Sequence, residues 1–177
     1  EYGSIHNNTQ GRYNRDDSSI LSVYFYQINP FTGNNISSQK FSGYINGYSE
    51  NHSSNWNDIK YNGRAEFLYN FVSYKKTASF NLQIPIFRAE DLEPTHNRLK
   101  SLQNGLAGEY LKSRLGGIIT KIKLGYYLDD QYCIINSLNI KIPDEASWDW
   151  GIGTLAYSTL LEASFNITVI NDKIPTG

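Results

Sequence analysis

Apolar and polar residues alternate with a period of two in six segments of the chain, which is the pattern of strands with one buried side. The clearest run is residues 78–86, where five apolar residues alternate with polar residues and Pro85. Further runs of the same kind occur at residues 21–26, 41–49, 118–124, 132–142 and 161–169. These six runs predict a mainly β fold built from antiparallel strands.

Glycine interrupts one of the runs. In residues 41–49, Gly43 and Gly47 stand among aromatic and aliphatic residues. Glycine inside a strand is typical of a bulge or of a close backbone approach, so this strand is predicted to bend. The later residues 56–71 fit neither a helix nor a regular strand, and they are interpreted as a connecting segment.

One segment has the spacing of a helix. Leucines recur at about helical intervals after Asp91, which can serve as an N-cap, and Gly105 is a stop signal. Pro94 then falls in the first turn, and a helix of about three turns is expected. The leucines concerned are Leu92, Leu99, Leu102 and Leu106.

The fold class follows from these elements. Six strands and one helix favour two packed antiparallel sheets, as a sandwich or an open barrel, with one flanking α-helix. A chain of 177 residues suits one core. The predicted division is a flexible N-terminal arm over residues 1–19, a single β-rich domain over 20–171 and a C-terminal tail over 172–177.

Composition excludes several kinds of partner. Charged residues make up only 19% of the chain and the formal net charge is -1, so nothing favours tight binding to nucleic acid or to an acidic membrane. No apolar run approaches the roughly 20 residues that span a bilayer. The single cysteine, Cys133, excludes an internal disulfide, and its apolar neighbours predict a buried small side chain.

No motif for catalysis or for a cofactor is found. His6, His52 and His96 lack the spacing of metal ligands, and the chain has no phosphate-binding loop or nucleophile elbow. Carboxylates cluster in three predicted turns, where aspartate is common for backbone reasons, although a facing pair could hydrolyse a glycoside. The clusters are Asp129–Asp130, Asp144–Glu145 and Asp149. The prediction is a protein that is not an enzyme, with no catalytic residue, metal, cofactor or small-molecule ligand.

Two tryptophans flank Asp149 in a predicted acidic loop. Trp148 and Trp150 can form a contact with another protein, pack in the core, or stack on sugar rings. The sequence leaves these three interpretations open.

The order of several motifs resembles one class of protein. The motifs are Phe41-x-Gly-Tyr-Ile, Tyr48-Ser-Glu-Asn, Trp56-Asn-x-x-x-Tyr-x-Gly-Arg64, Leu68-Tyr69 and Lys75-Lys76-Thr-Ala-Ser-Phe80. The later segments Arg98-Leu99-x-x-Leu102, GGIITKIKLG, INSLNI and ASFNITVI continue the likeness. Over about residues 40–171 the chain resembles tail tube, baseplate and tail hub proteins of tailed bacteriophages.

This resemblance implies a virion structural protein. Its fold would be of the tail-tube type, and its partners would be copies of itself, in a six-fold or twelve-fold ring, and other phage tail proteins. DNA would pass through the ring without specific binding. A near-neutral chain suits this role, because a channel lined with cations would bind the DNA phosphates and hold them. The protein would be located in the virion tail after assembly in the cytoplasm of the bacterial host.

Assembly also gives roles to particular residues under this interpretation. Trp56, Gly63, Arg64 and Tyr69 would order the connecting segment at a subunit interface, and Arg64 would pair with a carboxylate or with carbonyl groups. Strands at residues 78–84 and 161–169 would have sheet edges that neighbouring copies cover.

A carbohydrate-binding β-sandwich involved in host adhesion is the alternative. Its binding surface would combine Trp148 and Trp150 with a face of tyrosines, namely Tyr24, Tyr26, Tyr44 and Tyr48.

Overall fold

The alternating segments form strands in a computed structural model of the chain. The structure describes residues 20–29, 31–63, 65–107, 109–111, 114–150 and 155–170. The predicted arm at 1–19, the tail at 172–177 and Arg64 lie outside the described residues. In chain order the elements are β1 Leu21–Ile28, β2 Asn35–Ile59, β3 Leu68–Pro85, α1 Ala89–Gly105, β4 Glu109–Leu111, β5 Arg114–Gly116, β6 Ile119–Leu124, β7 Leu128–Lys141, β8 Trp148–Trp150, β9 Ala156–Ser158 and β10 Leu160–Ile170.

Six of the strands close into a barrel. Their order is β1-β2-β3-β10-β7-β6, every neighbouring pair is antiparallel, and pairing of β1 with β6 closes the sheet. Two further two-stranded sheets pair β4 with β5 and β8 with β9. Over the described residues, the predicted mainly β fold, with antiparallel sheets and one flanking helix, is confirmed.

Closure of the barrel changes the interpretation of its strand edges. Residues 78–84 of β3 pair with β2 on one side and with β10 on the other. Residues 162–169 of β10 likewise pair with both β3 and β7. The expectation that neighbouring copies must cover these two edges is therefore wrong, because the closed barrel satisfies their backbone groups within one chain.

Aromatic rings fill the interior of the barrel. Phe165 stacks on Phe25 and on Phe80, with ring centroids 4.9 and 5.0 Å apart, and all three rings are buried. Gln27 is also buried, and its polar atoms are satisfied, because its side-chain amide donates to the Leu102 carbonyl and its oxygen accepts from Ser37. The alternating apolar residues of each strand thus form one dry core.

Helix α1 contributes to the same core. Leu92, Leu99 and Leu102 are buried, as predicted, whereas Leu106 follows the end of the helix and is 39% exposed. The helix has 17 residues and begins at Ala89, so the prediction of Asp91 as its N-cap is wrong. Glu90 and Asp91 lie in its first turn, where carboxylates interact favourably with the positive end of the helix dipole. No described helix is long and apolar enough to cross a membrane.

Residues 56–71 are the main departure from the predicted elements. β2 continues to Ile59 and β3 begins at Leu68, so half of the expected connecting segment is a pair of strands and the other half, residues 60–67, is the loop that joins them. The strand pattern is hard to recognise in the sequence for two reasons. One face of the strands carries Asn and Ser, and the register shifts between Asn55 and Trp56.

Both glycines of the predicted bent strand act as expected. Gly47 has a φ of +65° and lies where the register of β2 shifts between Asn46 and Ser49, which confirms a bulge. At Gly43 an added Cβ would overlap the backbone oxygen of Gln83 and lie 3.2 Å from Leu82 Cδ1. Here glycine is required by the close approach of β3.

We expect Gly43→Ala to reduce the free energy of unfolding by about 1–3 kcal/mol, because β3 must move away from the new methyl group. The matched control is Gly117→Ala, since a Cβ at Gly117 meets no atom within 4 Å. Urea denaturation followed by circular dichroism measures both variants. The control should stay within about 0.5 kcal/mol of the wild type, and equal losses in the two variants would contradict the steric account.

Candidate functional site

The longest strands extend beyond the barrel as a two-stranded ribbon. We call residues 50–59 of β2 and 68–76 of β3 the β-ribbon. Strand β1 pairs with β2 only as far as Gly43, and β10 pairs with β3 only as far as Lys76. Within the part of the chain that the structure describes, the outer edges of the β-ribbon therefore have no strand partner beyond Lys76. Every described residue from Asn51 to Lys75 is exposed.

The two faces of the β-ribbon differ in chemistry, since alternate residues of a strand point to opposite sides. The register of β2 with β3 assigns each residue to a face. The aromatic face consists of Glu50, His52, Ser54, Trp56, Asp58, Tyr69, Phe71, Tyr74 and Lys76. The polar face consists of Asn51, Ser53, Asn55, Asn57, Ile59, Leu68, Asn70, Ser73 and Lys75, while Val72 lies at the register shift.

The aromatic face has a defined centre. The Trp56 and Phe71 rings meet edge to face with centroids 5.1 Å apart, and the Trp56 indole N–H donates to Ser54 Oγ at 3.2 Å. Even so, Trp56 is 54% exposed and Phe71 49%, and Tyr69 farther along is 68% exposed. The rings are thus ordered by each other but remain accessible to a partner.

A hydrogen-bonded group joins the aromatic face to the barrel. The Glu50 carboxylate accepts from the Tyr48 hydroxyl and pairs with Lys76 Nζ at 3.0 Å. His52 Nε2 lies 3.1 Å from the same carboxylate, and His52 Nδ1 is hydrogen-bonded to the Tyr74 hydroxyl. We call these five residues the Glu50 network. Its inner member, Tyr48, contacts the rings of Phe80 and Tyr127.

Ionisation of the network is shifted by these contacts. Burial by itself raises the pKa of the Glu50 carboxyl, but the hydrogen bonds from Tyr48, Lys76 and His52 outweigh it and lower the pKa to about 2. Burial, followed by the hydrogen bond to Glu50, raises the pKa of Tyr48 above its usual value. Glu50 is therefore held as a carboxylate, and it fixes the base of the β-ribbon through three donors.

The structure separates the predicted site residues into two groups. Trp56 and Tyr69 lie on the aromatic face, and Gly63 lies in the loop between the two strands with a φ of +91°. Arg64, next to Gly63, lies outside the described residues. Trp148 and Trp150 belong to β8, which pairs with β9 in a separate small sheet. Their proposed roles at an interface stay predictions.

The tryptophans of β8 are not part of the core. Trp148 is 59% exposed and Trp150 66%, so the core-packing interpretation is wrong. The segment was expected to be a loop, but Trp148 pairs with Ser158 and Trp150 with Ala156. Because the two tryptophans are two residues apart on a strand, they share one face, which suits either a protein contact or a sugar.

Two of the three acidic clusters have ordinary structural partners. Asp129 and Asp130 lie just after the first residue of β7, not in a turn as predicted, and are 3.5 and 3.2 Å from the ammonium groups of Lys123 and Lys121. Asp149 lies in β8, where it accepts a hydrogen bond from the Trp150 N–H, and only Asp144–Glu145 occupies a turn. Among the described residues, no group of three His, Cys, Asp or Glu side chains could hold a metal ion.

Cys133 is buried, as expected. Its thiol lies 3.1 Å from the Thr120 carbonyl oxygen, and burial raises its pKa to about 12. A thiol that stays protonated and enclosed is a packing group and a poor nucleophile.

Sequence reasoning missed Phe71, Tyr74 and the Glu50 network. A usable signal was present in residues 51–57, where Asn51, Ser53, Asn55 and Asn57 alternate with His52, Ser54 and Trp56. Period-two alternation of neutral polar with aromatic residues predicts a strand as well as aliphatic alternation does. No sequence signal brings Glu50 to Lys76, because their contact depends on the register of β2 with β3.

Comparison with known proteins gives a limited result. No family model matches the sequence, and no curated protein matches it. One solved structure similar in part is the tail of an empty GTA particle, computed with helical refinement and C6 symmetry, with TM-score 0.36 and 9% identity over 93% of this chain and 98% of that chain. Another is the six-fold symmetrised baseplate of the anti-feeding prophage, with TM-score 0.32 and 12% identity over 85% of this chain and 89% of that chain. Both TM-scores are below 0.5, so neither likeness assigns a fold family or a function.

We expect acid to weaken the chain through Glu50. As the pH falls, the unfolded state binds a proton near the ordinary glutamate pKa of 4.5, whereas folded Glu50 does so only near 2. The stability that Glu50 contributes is thus fully present above about pH 5 and is lost as the pH falls through about 2. Glu50→Gln should be less stable than the wild type at the upper end of this range, and the difference should shrink toward the lower end.

Urea denaturation of both proteins at a series of pH values measures this difference. Glu93→Gln is the control, because Glu93 is exposed on α1 and has no ion pair within the described residues. A Glu50→Gln deficit that is constant with pH would refute the ionic role of the network.

Proposed function

We propose that this chain is a non-enzymatic structural subunit that assembles with copies of itself into a ring of a bacteriophage tail, as part of the tube, the baseplate or the hub. The observation that carries the proposal is the β-ribbon, which presents exposed aromatic rings, and strand edges with no partner among the described residues, outside a barrel that is otherwise closed. The experiment that tests it is imaging of the purified protein.

The first support is energetic. A two-stranded ribbon on its own is at best marginally stable in water, because it has no third layer on which to bury a face. Burying a side chain the size of phenylalanine contributes about 1.5–3 kcal/mol. A neighbouring copy that covers Trp56 and Phe71 would therefore stabilise both the β-ribbon and the contact.

The second support is the composition of the aromatic face. Protein interfaces are enriched in Trp, Tyr and Phe, and the residues that dominate their energy cluster at the centre. Trp56 and Phe71 form such a centre, with Tyr69 and Tyr74 beside them. If the complementary surface lies elsewhere on each copy, the contact repeats head to tail and closes into a ring when the rotation allows it.

The ordered motifs of the sequence support the assignment to phage tails. The resemblance to tail proteins covers about residues 40–171 and includes the Trp56 and Tyr69 motifs, which lie on the aromatic face. On this basis the ring is six-fold or twelve-fold, its further partners are other tail proteins, and DNA passes through its channel. It assembles in the bacterial cytoplasm and functions in the virion tail.

A carbohydrate-binding protein for host adhesion is the second candidate, and one observation favours it. Trp148 and Trp150 expose their side chains on one face of β8, as sugar-stacking residues do. In that case the chain would bind glycans on an array, and Trp148→Ala together with Trp150→Ala would abolish the signal. Binding of glycans by chains that form no rings would favour this candidate.

We expect negative-stain images of the wild type to show rings, and we expect Trp56→Ala with Phe71→Ala to prevent them. Loss of aromatic residues at an interface centre costs about 2 kcal/mol or more, so the concentration needed for assembly should rise at least about tenfold by sedimentation. The thermal midpoint of the unassembled barrel should change little, because both side chains are exposed.

The matched control is Asn55→Ala with Asn57→Ala, which changes the polar face of the same β-ribbon. These substitutions should leave assembly intact. Rings that form equally well from the aromatic and the polar variants would contradict the proposal.

A further inference from the structure

We propose that the outer face of strands β2, β3, β10 and β7 is the wall of the ring's channel, kept in contact with water and facing a passing DNA duplex. This inference rests on the proposed function and deepens it, because it assigns the surface that the transported molecule meets. It is carried by the composition of that face.

Strand register places twelve outward-facing residues in three rows across the four strands. We call them the polar wall. The rows are Asn46, Asn81, Ser164 and Asn139; then Ser49, Ser79, Asn166 and Ser137; then Asn51, Thr77, Thr168 and Ile134. Eleven of these twelve positions hold Asn, Ser or Thr, one holds an aliphatic residue, and none is charged.

Side-chain hydrogen bonds order part of the polar wall. The Asn136 amide, at the register shift of β7, donates to Thr168 Oγ1 at 2.8 Å and to Asn166 Oδ1 at 3.3 Å. Charged side chains occur only at its borders, with Glu162 opposite Lys141 at one end and Lys75 at the other. The neutral area is therefore continuous.

The other side of the barrel has the opposite character. On the outer faces of β1, β2 and β6, Tyr24 lies between Lys40 and Lys123, and Tyr26 lies between Ser38 and Lys121. The Tyr24 and Tyr26 rings stack, with centroids 6.4 Å apart, and Lys40 lies over the Tyr24 ring. Stacked aromatic rings and three lysines thus lie on this side of the barrel, whereas no residue of the polar wall is aromatic or charged.

Desolvation decides which environment the polar wall prefers. Burying an amide or hydroxyl without a partner costs about 1–3 kcal/mol, and serine is depleted at protein interfaces. Eleven such residues would need as many matched partners in a subunit contact. Water satisfies all of them, so the wall is most stable where it stays wet.

The missing charges indicate what passes along it. Lysine and arginine bind DNA by pairing with phosphates and releasing counterions, so a wall without cations gives a duplex no fixed point of attachment. A wall without carboxylates does not repel it either. A neutral, hydrated surface lets a polyanion move without being held.

The β-ribbon agrees with this orientation. Its polar face continues the polar wall along β2 and β3, beginning with Asn51 and Ser53, while the aromatic face points the opposite way. One placement of the subunit can therefore turn the aromatic face toward a neighbouring copy and the polar surface toward the channel.

Cysteine labelling of assembled rings tests the wall. The sole native cysteine, Cys133, is fully buried, so an introduced thiol is the main reactive group. Ser137→Cys lies in the polar wall and Ser38→Cys on the opposite side, and both serines are exposed in the single chain. Each variant is treated with a small maleimide and with a maleimide attached to a globular protein wider than a DNA duplex.

In rings, Ser137→Cys should react with the small reagent, but its labelling by the large one should fall at least tenfold relative to the unassembled chain. Ser38→Cys should show no such selective loss of the large reagent. Labelling of Ser137→Cys by both reagents would place the wall on the ring exterior, and protection from both would place it in a subunit contact. Either result overturns this inference alone, whereas absence of rings overturns the proposed function with it.

A charge variant tests the reason for neutrality. Rings carrying Asn81→Lys and Ser137→Lys should retain duplex DNA at low salt and release it as salt increases, while wild-type rings retain none. Equal retention by wild-type rings would contradict the neutral-wall account.

Discussion

The constraint on which the proposed function depends is a two-stranded ribbon that no third layer covers within the described residues. Strands β2 and β3 continue past the last residues that β1 and β10 pair with, and every described residue from Asn51 to Lys75 is exposed. The closed barrel satisfies its own hydrogen bonds and fills its own interior, so it needs no partner to fold. The β-ribbon has neither fully paired strand edges nor an interior of its own within the described residues. This difference between the two parts of one chain favours assembly.

The base of the β-ribbon explains how it can be held in place before it meets a partner. Inside the barrel most inward-facing side chains are aliphatic or aromatic, but along the same face Tyr48, Glu50 and Lys76 replace them. Three donors converge on one carboxylate where the surface changes from dry to wet. Beyond them, Trp56 and Phe71 resume an apolar surface, now outside the fold. The network therefore joins the core to the exposed aromatic centre.

Much of the fold could be predicted from the sequence, because aliphatic alternation in residues 78–86 and 161–169 records which side is buried. The spacing of the leucines likewise predicted α1, and the glycines at 43 and 47 predicted the bend in β2, because each of these signals is local in the sequence. Barrel closure could not be predicted, since the pairing of β1 with β6 depends on contacts distant in the chain. For that reason the expected free edges were wrong, and the free edges lie in the β-ribbon instead. The strands of the β-ribbon were not predicted, because they lack the alternating aliphatic residues that mark the barrel strands. Of the candidate site, Trp56 and Tyr69 were found from motif order, whereas the partners of Glu50 required the register.

One subunit carries two surfaces of different character. Removing the aromatic face of the β-ribbon from water lowers the free energy, whereas removing the polar wall from water raises it. Amide hydrogen exchange measured by mass spectrometry tests the central claim most directly, by comparing residues 51–59 and 68–75 in the unassembled chain and in the assembly. The account predicts rapid exchange of these amides in the unassembled chain and strong protection on assembly, with barrel strands such as β10 protected in both. Equal protection of the β-ribbon in the unassembled chain would contradict it, because the ribbon would then be stable without a partner.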